Sequence, residues 1–138
     1  EKLVQLAADL DITNKVKFLG YISDADKIHL LRSVDLFCSP ALYGESFGIV
    51  LLEAMASGAA TIAGNNPGYS TVMRDLGSIS LVDPKNTQEF ANRIKLFMDE
   101  PELRKLWRKW ARDSIGQYDY EKVIDQYEAL YKAAVKRH

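Results

Sequence analysis

The sequence predicts an α/β fold with a parallel sheet covered on both faces, and three observations carry that prediction. Short apolar or β-branched runs at 15–20, 36–38, 59–63 and 78–82 alternate with longer segments whose apolar residues recur every three to four positions. The runs are apolar along their length rather than alternating, as strands buried on both faces are. A chain of 138 residues, 47% of them hydrophobic, makes one domain. At that length it can bury about two thirds of its unfolded surface without cross-links.

Taken in order, residues 1–10 place Leu3, Leu6, Ala7 and Leu10 on one helical stripe. Lys15 to Gly20, KVKFLG, reads as a strand closed by glycine. Ser23, Asp24 and Asp26 supply N-cap chemistry ahead of Ile28, Leu30, Leu31 and Val34, a helix that leads into strand 36–38 and a stop at Pro40. Residues 47–57 form a very apolar helix ended by Gly58, and 59–63 a small uncharged strand. Asn65-Asn66-Pro67-Gly68 is a turn, followed by a short helix around 70–75, strand 78–82 and the breaker Asp83-Pro84. Three helices finish the chain. They are marked by Phe90, Ile94 and Phe97, then Leu103, Leu106, Trp107 and Trp110, then Val123, Tyr127, Leu130, Tyr131 and Ala134. Ligands of parallel sheets bind beyond the carboxyl ends of the strands, so the loops after Gly20, Ser39, Ala63 and Val82 are where a site belongs.

Composition removes several function classes. The 18 basic and 19 acidic residues give a formal charge of −1 with no basic run, which argues against nucleic acid as a partner. Charge is unevenly placed, however. Residues 1–100 hold 9 basic and 13 acidic side chains, whereas residues 101–138 hold 9 and 6. This mildly basic tail reads either as a solvated helix face or as a weak attraction to anionic surfaces. The single cysteine, Cys38, rules out a disulfide framework and a Cys/His zinc cluster and fits a reducing compartment. It ends a strand among apolar residues and reads as core. No cluster of His, Cys or Asp has metal-ligand spacing, and His29 and His138 read as solvent-facing bystanders. The longest uncharged stretch, 54–73, is broken by Gly58, Gly64, Asn65, Asn66, Pro67 and Gly68 and is no membrane span. The first residues do not read as a signal peptide.

Chemistry concentrates in 43–58, YGESFGIVLLEAMASG. A helix start beside small residues exposes unpaired N–H groups and the positive end of the macrodipole, which together attract phosphate. The candidate donors are the amides of Phe47, Gly48 and Ile49, with Gly48 leaving room for an approaching oxygen. The plainer reading is that Ser46 or Glu45 only caps the helix. Glu53 is the lone charge among Phe, Ile, Val, Leu, Ala and Met, in a helix that looks buried on every side. A buried carboxylate needs a partner: ribose hydroxyls of a ligand, or an internal Lys or Arg. On an unbroken helix Glu45 and Glu53 would stand roughly 12 Å and about 80° apart. That is too far for a carboxylate pair acting on one glycosidic bond, and it suits one acid near each end of an extended ligand with phosphates between.

Glu45 and Glu53, spaced as E-x(7)-E and followed by Ala54-Met55-Ala56-Ser57-Gly58, resemble the signature of retaining family-4 glycosyltransferases of the GT-B architecture. Val16-x-Phe18-Leu19-Gly20, Leu31-Arg32-Ser33-x-Asp35, Cys38-x-Pro40, Leu81-Val82-Asp83-Pro84, Tyr118-Asp119-Tyr120 and Tyr127-Glu128-x-Leu130-Tyr131 fall in the family's order, so the resemblance covers nearly the whole chain. FLGYISDADK, LRSVDLFCSP and GESFGIVLLEAMASG are especially similar to bacterial phosphatidylinositol mannosyltransferases.

The resemblance implies a Rossmann-like sheet with C-terminal helices, residues 1–138 being a truncated donor-binding domain of a two-domain enzyme. Glu45 is then the catalytic residue, lying against the donor sugar's hydroxyls near the reacting centre, with Ser46 next to it. Phe47, Gly48 and Ile49 present backbone to sugar and diphosphate, and Glu53 takes the ribose. Lys27 borders the base or is simply solvated. The implied chemistry is metal-independent hexosyl transfer with retention, and no cofactor is needed beyond the nucleotide-sugar donor, GDP-mannose favoured. A glycan or lipid acceptor belongs to an N-terminal domain absent here. The family's phosphate-neutralising Arg and Lys precede Glu1, so the fragment alone is expected to be inactive. Thr71 stands where the family has an acid after a Gly-Gly turn, which withholds a donor contact from that turn. The implied location is cytoplasmic, peripheral at the inner membrane face, with Arg104, Lys105, Arg108, Lys109 and Arg112 able to meet lipid. Two other functions fit the same residues: a non-catalytic α/β binding module and a non-hydrolysing nucleotide-sugar epimerase.

Overall fold

A computed structural model of the chain describes residues 1–135; His138 lies outside them. Helix α1 (Lys2–Asp9), helix α2 (Asp24–Ser33) and strand β1 (Leu36–Ser39) come first, followed by helix α3 (Ile49–Ser57) and strand β2 (Ala60–Gly64). Helix α4 (Pro67–Val72) and strand β3 (Leu81–Val82) lead to three closing helices, α5 (Thr87–Asp99), α6 (Pro101–Ile115) and α7 (Tyr120–Val135). The fold is α/β, with a parallel sheet in the order β1-β2-β3 and Leu36 opposite Ala60 and Ala63 opposite Leu81.

Local chemistry sets most boundaries. The Ser23 hydroxyl accepts the Asp26 amide and starts α2, and Gly58, at φ +83°, ends α3 in the left-handed conformation that suits glycine. Every residue of β2 is buried although successive side chains point to opposite faces, so both faces of the central strand are covered. The core joins Leu51 and Met55 of α3, Ile62 of β2, Tyr69 and Val72 of α4, Phe97 of α5 and Trp107 of α6. Trp107 packs edge-on against both Phe97 and Trp110.

Several expectations need correcting. Residues 15–20 are no strand. Thr13–Lys15 form a 3-10 turn, and no strand among the described residues pairs with the stretch that follows, which leaves Val16, Phe18 and Leu19 partly exposed. The sheet therefore has three strands among the described residues, where the sequence implied four. Asp75–Ser80 wind into a 3-10 helix, so β3 keeps only two of the five residues expected at 78–82. The short helix begins at Pro67 rather than near Ser70, because Asn66 caps it by accepting the Tyr69 amide and Pro67 suits a first helical position. Cys38 is exposed, since β1 is an edge strand and the residue points off the core. His29 is exposed, as the sequence implied. Finally, α7 keeps its helical period yet buries none of its residues, because it packs mainly on the 3-10 turn Gly116–Tyr118.

Candidate functional site

Glu45 sits in the loop between β1 and α3, beyond the carboxyl end of β1, with a positive-φ glycine before it and another soon after (Gly44, φ +88°; Gly48, φ +103°). Helix α3 starts at Ile49, two residues later than the sequence implied, because Gly48 takes a left-handed conformation that breaks helical geometry. The two acids are therefore not on one unbroken helix. Glu45 precedes the helix start and Glu53 lies one turn inside it.

No side chain caps α3, so neither Ser46 nor Glu45 is a helix cap. The amides of Phe47, Gly48 and Ile49 donate no hydrogen bond among the described residues. Ser46 and Ile49 are exposed beside them, Phe47 is half-buried edge-on against Tyr118, and Gly48 is buried. Two close approaches build this loop. A Cβ on Gly48 would meet the Tyr69 ring at 2.6 Å, and a Cβ on Gly68 would meet the Glu45 carbonyl oxygen at 2.2 Å. Only glycine lets α4 and the loop lie so close.

Glu53 is not buried on every side: about a third of its side chain (35%) is exposed. Ile49 and Ala56 also face outward, so α3 has an open side. One Glu53 oxygen, Oε1, accepts Lys27 Nζ at 2.8 Å, and the same ammonium lies 3.1 Å from Asp24. Lys27 and Glu53, separated by 26 residues, thus meet as an ion pair. Hydrogen bonds from Lys27 to Glu53 and Asp24 push its pKa above the ordinary 10.5. The pair is exposed enough for solvent to weaken it. Glu53 nevertheless opens on a concavity of about 440 Å³ shared with Leu52, Ala56, Ile115, Tyr118 and Asp119.

Sequence reading missed Tyr69, Tyr118 and Asp119 as neighbours of the two acids. The adjacency of Gly68 to Tyr69, with Asn66 capping just before, was the one available sign that α4 comes close to another backbone. Thr71, standing where an acid was expected, spends its hydroxyl on the Gly68 carbonyl at 2.7 Å. A second concavity of about 310 Å³ lies beyond the strand ends, lined by Tyr43, Asn65, Asp83 and Lys85 among others. Among the described residues no three His, Cys, Asp or Glu side chains converge to hold a metal ion. No described helix is long and apolar enough to cross a membrane.

Of the five basic residues singled out in the tail, two are occupied by the fold. Arg104 caps the end of α5 by donating to the Phe97 and Met98 carbonyls, and Arg108 donates to the Asp35 carbonyl at 3.2 Å. Lys105, Lys109 and Arg112 remain outward, with Glu102 and Asp113 beside them.

In parallel α/β sheets ligands bind beyond the carboxyl ends of the strands, which is where the loop with Glu45 and the start of α3 lie. Residues 1–114 match the family model described as glycosyl transferases group 1, and the chain belongs to that family. It is 34% identical over 130 residues to a phosphatidyl-myo-inositol mannosyltransferase of Mycolicibacterium smegmatis, covering 91% of this chain and 34% of the relative. It is 32% identical over 136 residues to a D-inositol 3-phosphate glycosyltransferase of Salinispora tropica, covering 99% and 28%. Among solved structures it resembles WaaG, a glycosyltransferase involved in lipopolysaccharide biosynthesis (TM-score 0.71, 26% identity, 83% of this chain and 30% of that one). It also resembles the C-terminal domain of LpcC, a group 1 family protein of Francisella tularensis (TM-score 0.64, 28% identity, 91% and 60%). The chain spans about a third of the length of the curated relatives it matches.

Proposed function

We propose that the chain is the donor-binding part of a retaining glycosyltransferase that moves a hexose, mannose favoured, from a GDP-linked donor to a glycan or lipid acceptor. The observation that carries this reading is the run of three amides at Phe47, Gly48 and Ile49, unpaired among the described residues, with an acid on either side, beyond the carboxyl end of β1. Those amides and the positive end of α3 would hold the diphosphate as it leaves, the largest electrostatic contribution available here. Glu45, with Ser46 beside it, would meet the sugar hydroxyls near the reacting carbon. Glu53 keeps Oε2 free of the Lys27 ion pair to accept from ribose, and Lys27 stands at the same end to border the base. The mannosyltransferase relatives support mannose, and their greater length leaves the acceptor to the rest of the protein. A cytoplasmic protein at the inner membrane face fits a lipid acceptor, with Lys105, Lys109 and Arg112 as its outward basic residues.

Calorimetric titration of the intact protein with GDP tests the proposal. Saturable binding is expected, lost in Glu53→Ala with the fold retained, while Glu45→Gln binds GDP and loses transfer. Binding indifferent to Glu53→Ala overturns it. The Lys27–Glu53 ion pair favours a second reading, a non-catalytic module in which Glu53 serves only Lys27; that reading predicts no saturable nucleotide binding at all. Product analysis with and without acceptor separates transfer from epimerisation, which needs no acceptor.

A further inference from the structure

Asn66 is a polar residue of the core, 3% exposed, and the two halves of its side-chain amide engage different segments. Oδ1 accepts the Tyr69 amide at 2.9 Å and starts α4. Nδ2 donates at 3.0 Å to the carbonyl of Ala41, 25 residues earlier in the loop between β1 and α3. A backbone amide needs an acceptor and a carbonyl needs a donor, so these partners fix which way the Asn66 amide points. Its backbone is held too, the amide donating to the Gly64 carbonyl at 2.9 Å and the carbonyl accepting the Ser70 amide at 3.0 Å. The Ala41 carbonyl accepts no backbone amide among the described residues. It lies so close to β2 that a Cβ on Gly64 would stand 2.1 Å from its oxygen.

A helix cap needs only the acceptor, which serine or aspartate supplies as well as asparagine. Asparagine adds a second arm. An ionised aspartate has no proton to donate, and a serine hydroxyl that accepts the Tyr69 amide is too short to reach Ala41 as well. The loop that carries Glu45 is thereby tied to α4 at two places. Asn66 holds Ala41 on the β1 side, and the Gly68 backbone packs against the Glu45 carbonyl and the Phe47 nitrogen on the α3 side. We propose that Asn66 is a positioning residue that fixes the β1 side of this loop and so sets the direction in which Glu45 faces the donor sugar. This rests on the role given to Glu45 above. Only Leu42, Tyr43 and Gly44 separate the tied carbonyl from Glu45, and Gly44, at φ +88°, has no side chain to restrain it. Without the tether the segment turns about that glycine. The amides of Phe47, Gly48 and Ile49 stay in place, since they follow the Gly68 contact and lead directly into α3.

The test uses Asn66→Ser and Asn66→Asp in the intact protein; both keep a cap for α4 and remove the donor, one without adding charge and one with it. Asn86 provides the control, because it caps α5 through the Glu89 amide at 3.1 Å while its Nδ2 reaches only the Glu89 side chain. Each Asn66 variant should lower kcat about tenfold while the donor KM and the Kd for GDP stay within about twofold, because the acid loses its orientation and the phosphate site does not. Asn86→Ser should leave all three within about twofold. An unchanged kcat in either Asn66 variant, kcat and GDP affinity falling together, or an equal loss in Asn86→Ser overturns the proposal. A second measurement needs no substrate: ¹⁵N relaxation order parameters of Tyr43, Gly44 and Glu45 should fall in Asn66→Ser and not in Asn86→Ser, and unmoved values overturn the tether. Absence of transfer by the unsubstituted protein instead strikes the function read for Glu45, and the positioning role with it, whereas the relaxation result still decides whether Asn66 holds the loop.

Discussion

Replacing Gly68 by alanine separates the architecture of the loop from the stability of the fold. The added Cβ would stand 2.2 Å from the Glu45 carbonyl oxygen, 2.8 Å from its carbon and 3.0 Å from the Phe47 nitrogen, against ordinary contact at 3.4–4 Å. All three obstacles are backbone, so no side chain can swing aside, and the loop must retreat by about 1 Å. Overpacking of this kind costs about 2 kcal/mol, which lowers the melting temperature by roughly 5–10 °C for a domain of this size. The displaced segment carries Glu45 and the Phe47 amide, and a shift of about 1 Å at a reacting centre costs on the order of 100-fold in turnover. Gly58→Ala is the matched control. Its φ of +83° imposes a left-handed strain of about 1–2 kcal/mol, yet a Cβ there meets nothing within 4 Å, and it lies at the far end of α3 from Glu45. Calorimetry of both variants with steady-state kinetics of the intact protein should show comparable melting losses and a collapse of kcat in Gly68→Ala alone. Equal kinetic losses in the two variants, or full activity in Gly68→Ala, would refute the reasoning that the approach of α4 places Glu45.

Other consequences can be measured on the same protein. Lys27→Met removes an ion pair whose lysine has a raised pKa, so the contribution is complete below 10.5 and is lost as pH rises through the higher folded-state value. The gap in melting temperature between Lys27→Met and the unsubstituted protein should be flat across neutral pH and close only above 10.5; closure near pH 7 would contradict this assignment. Trp107→Ala empties the centre of the core and should cost about 3–5 kcal/mol in denaturant unfolding. Charge reversal at Lys105, Lys109 and Arg112 should weaken binding to vesicles containing anionic lipid at low salt, whereas Arg104 and Arg108 substitutions should act chiefly on stability through the carbonyls they hold. Vesicle binding indifferent to the triple reversal removes the basic face of α6 from membrane contact.

Where a hydrogen bond or a cap closes within four residues, the amino-acid order was enough. Ser23 with Asp26, Gly58 at the end of α3, and the three closing helices follow from chemistry that short segments carry with them. The E-x(7)-E spacing and the small residues between were likewise visible, and they led to the same loop and helix start that the fold presents beyond β1. Contacts between distant segments settled the remainder. KVKFLG has the residues of a strand, but a strand exists only with a hydrogen-bonding neighbour, and none of the described residues supplies one. Glu53 looked enclosed because its helix is apolar, yet α3 lies with Ile49 and Ala56 outward, and a lysine 26 positions away reached its carboxylate. Tyr69 meets Ser39, and Gly68 meets the Glu45 carbonyl, only because two parallel crossovers bring α4 against the loop after β1, at a separation that glycine at 48 and 68 permits. Side-chain chemistry acts over one helical turn, whereas these encounters depend on how the sheet stacks its crossovers.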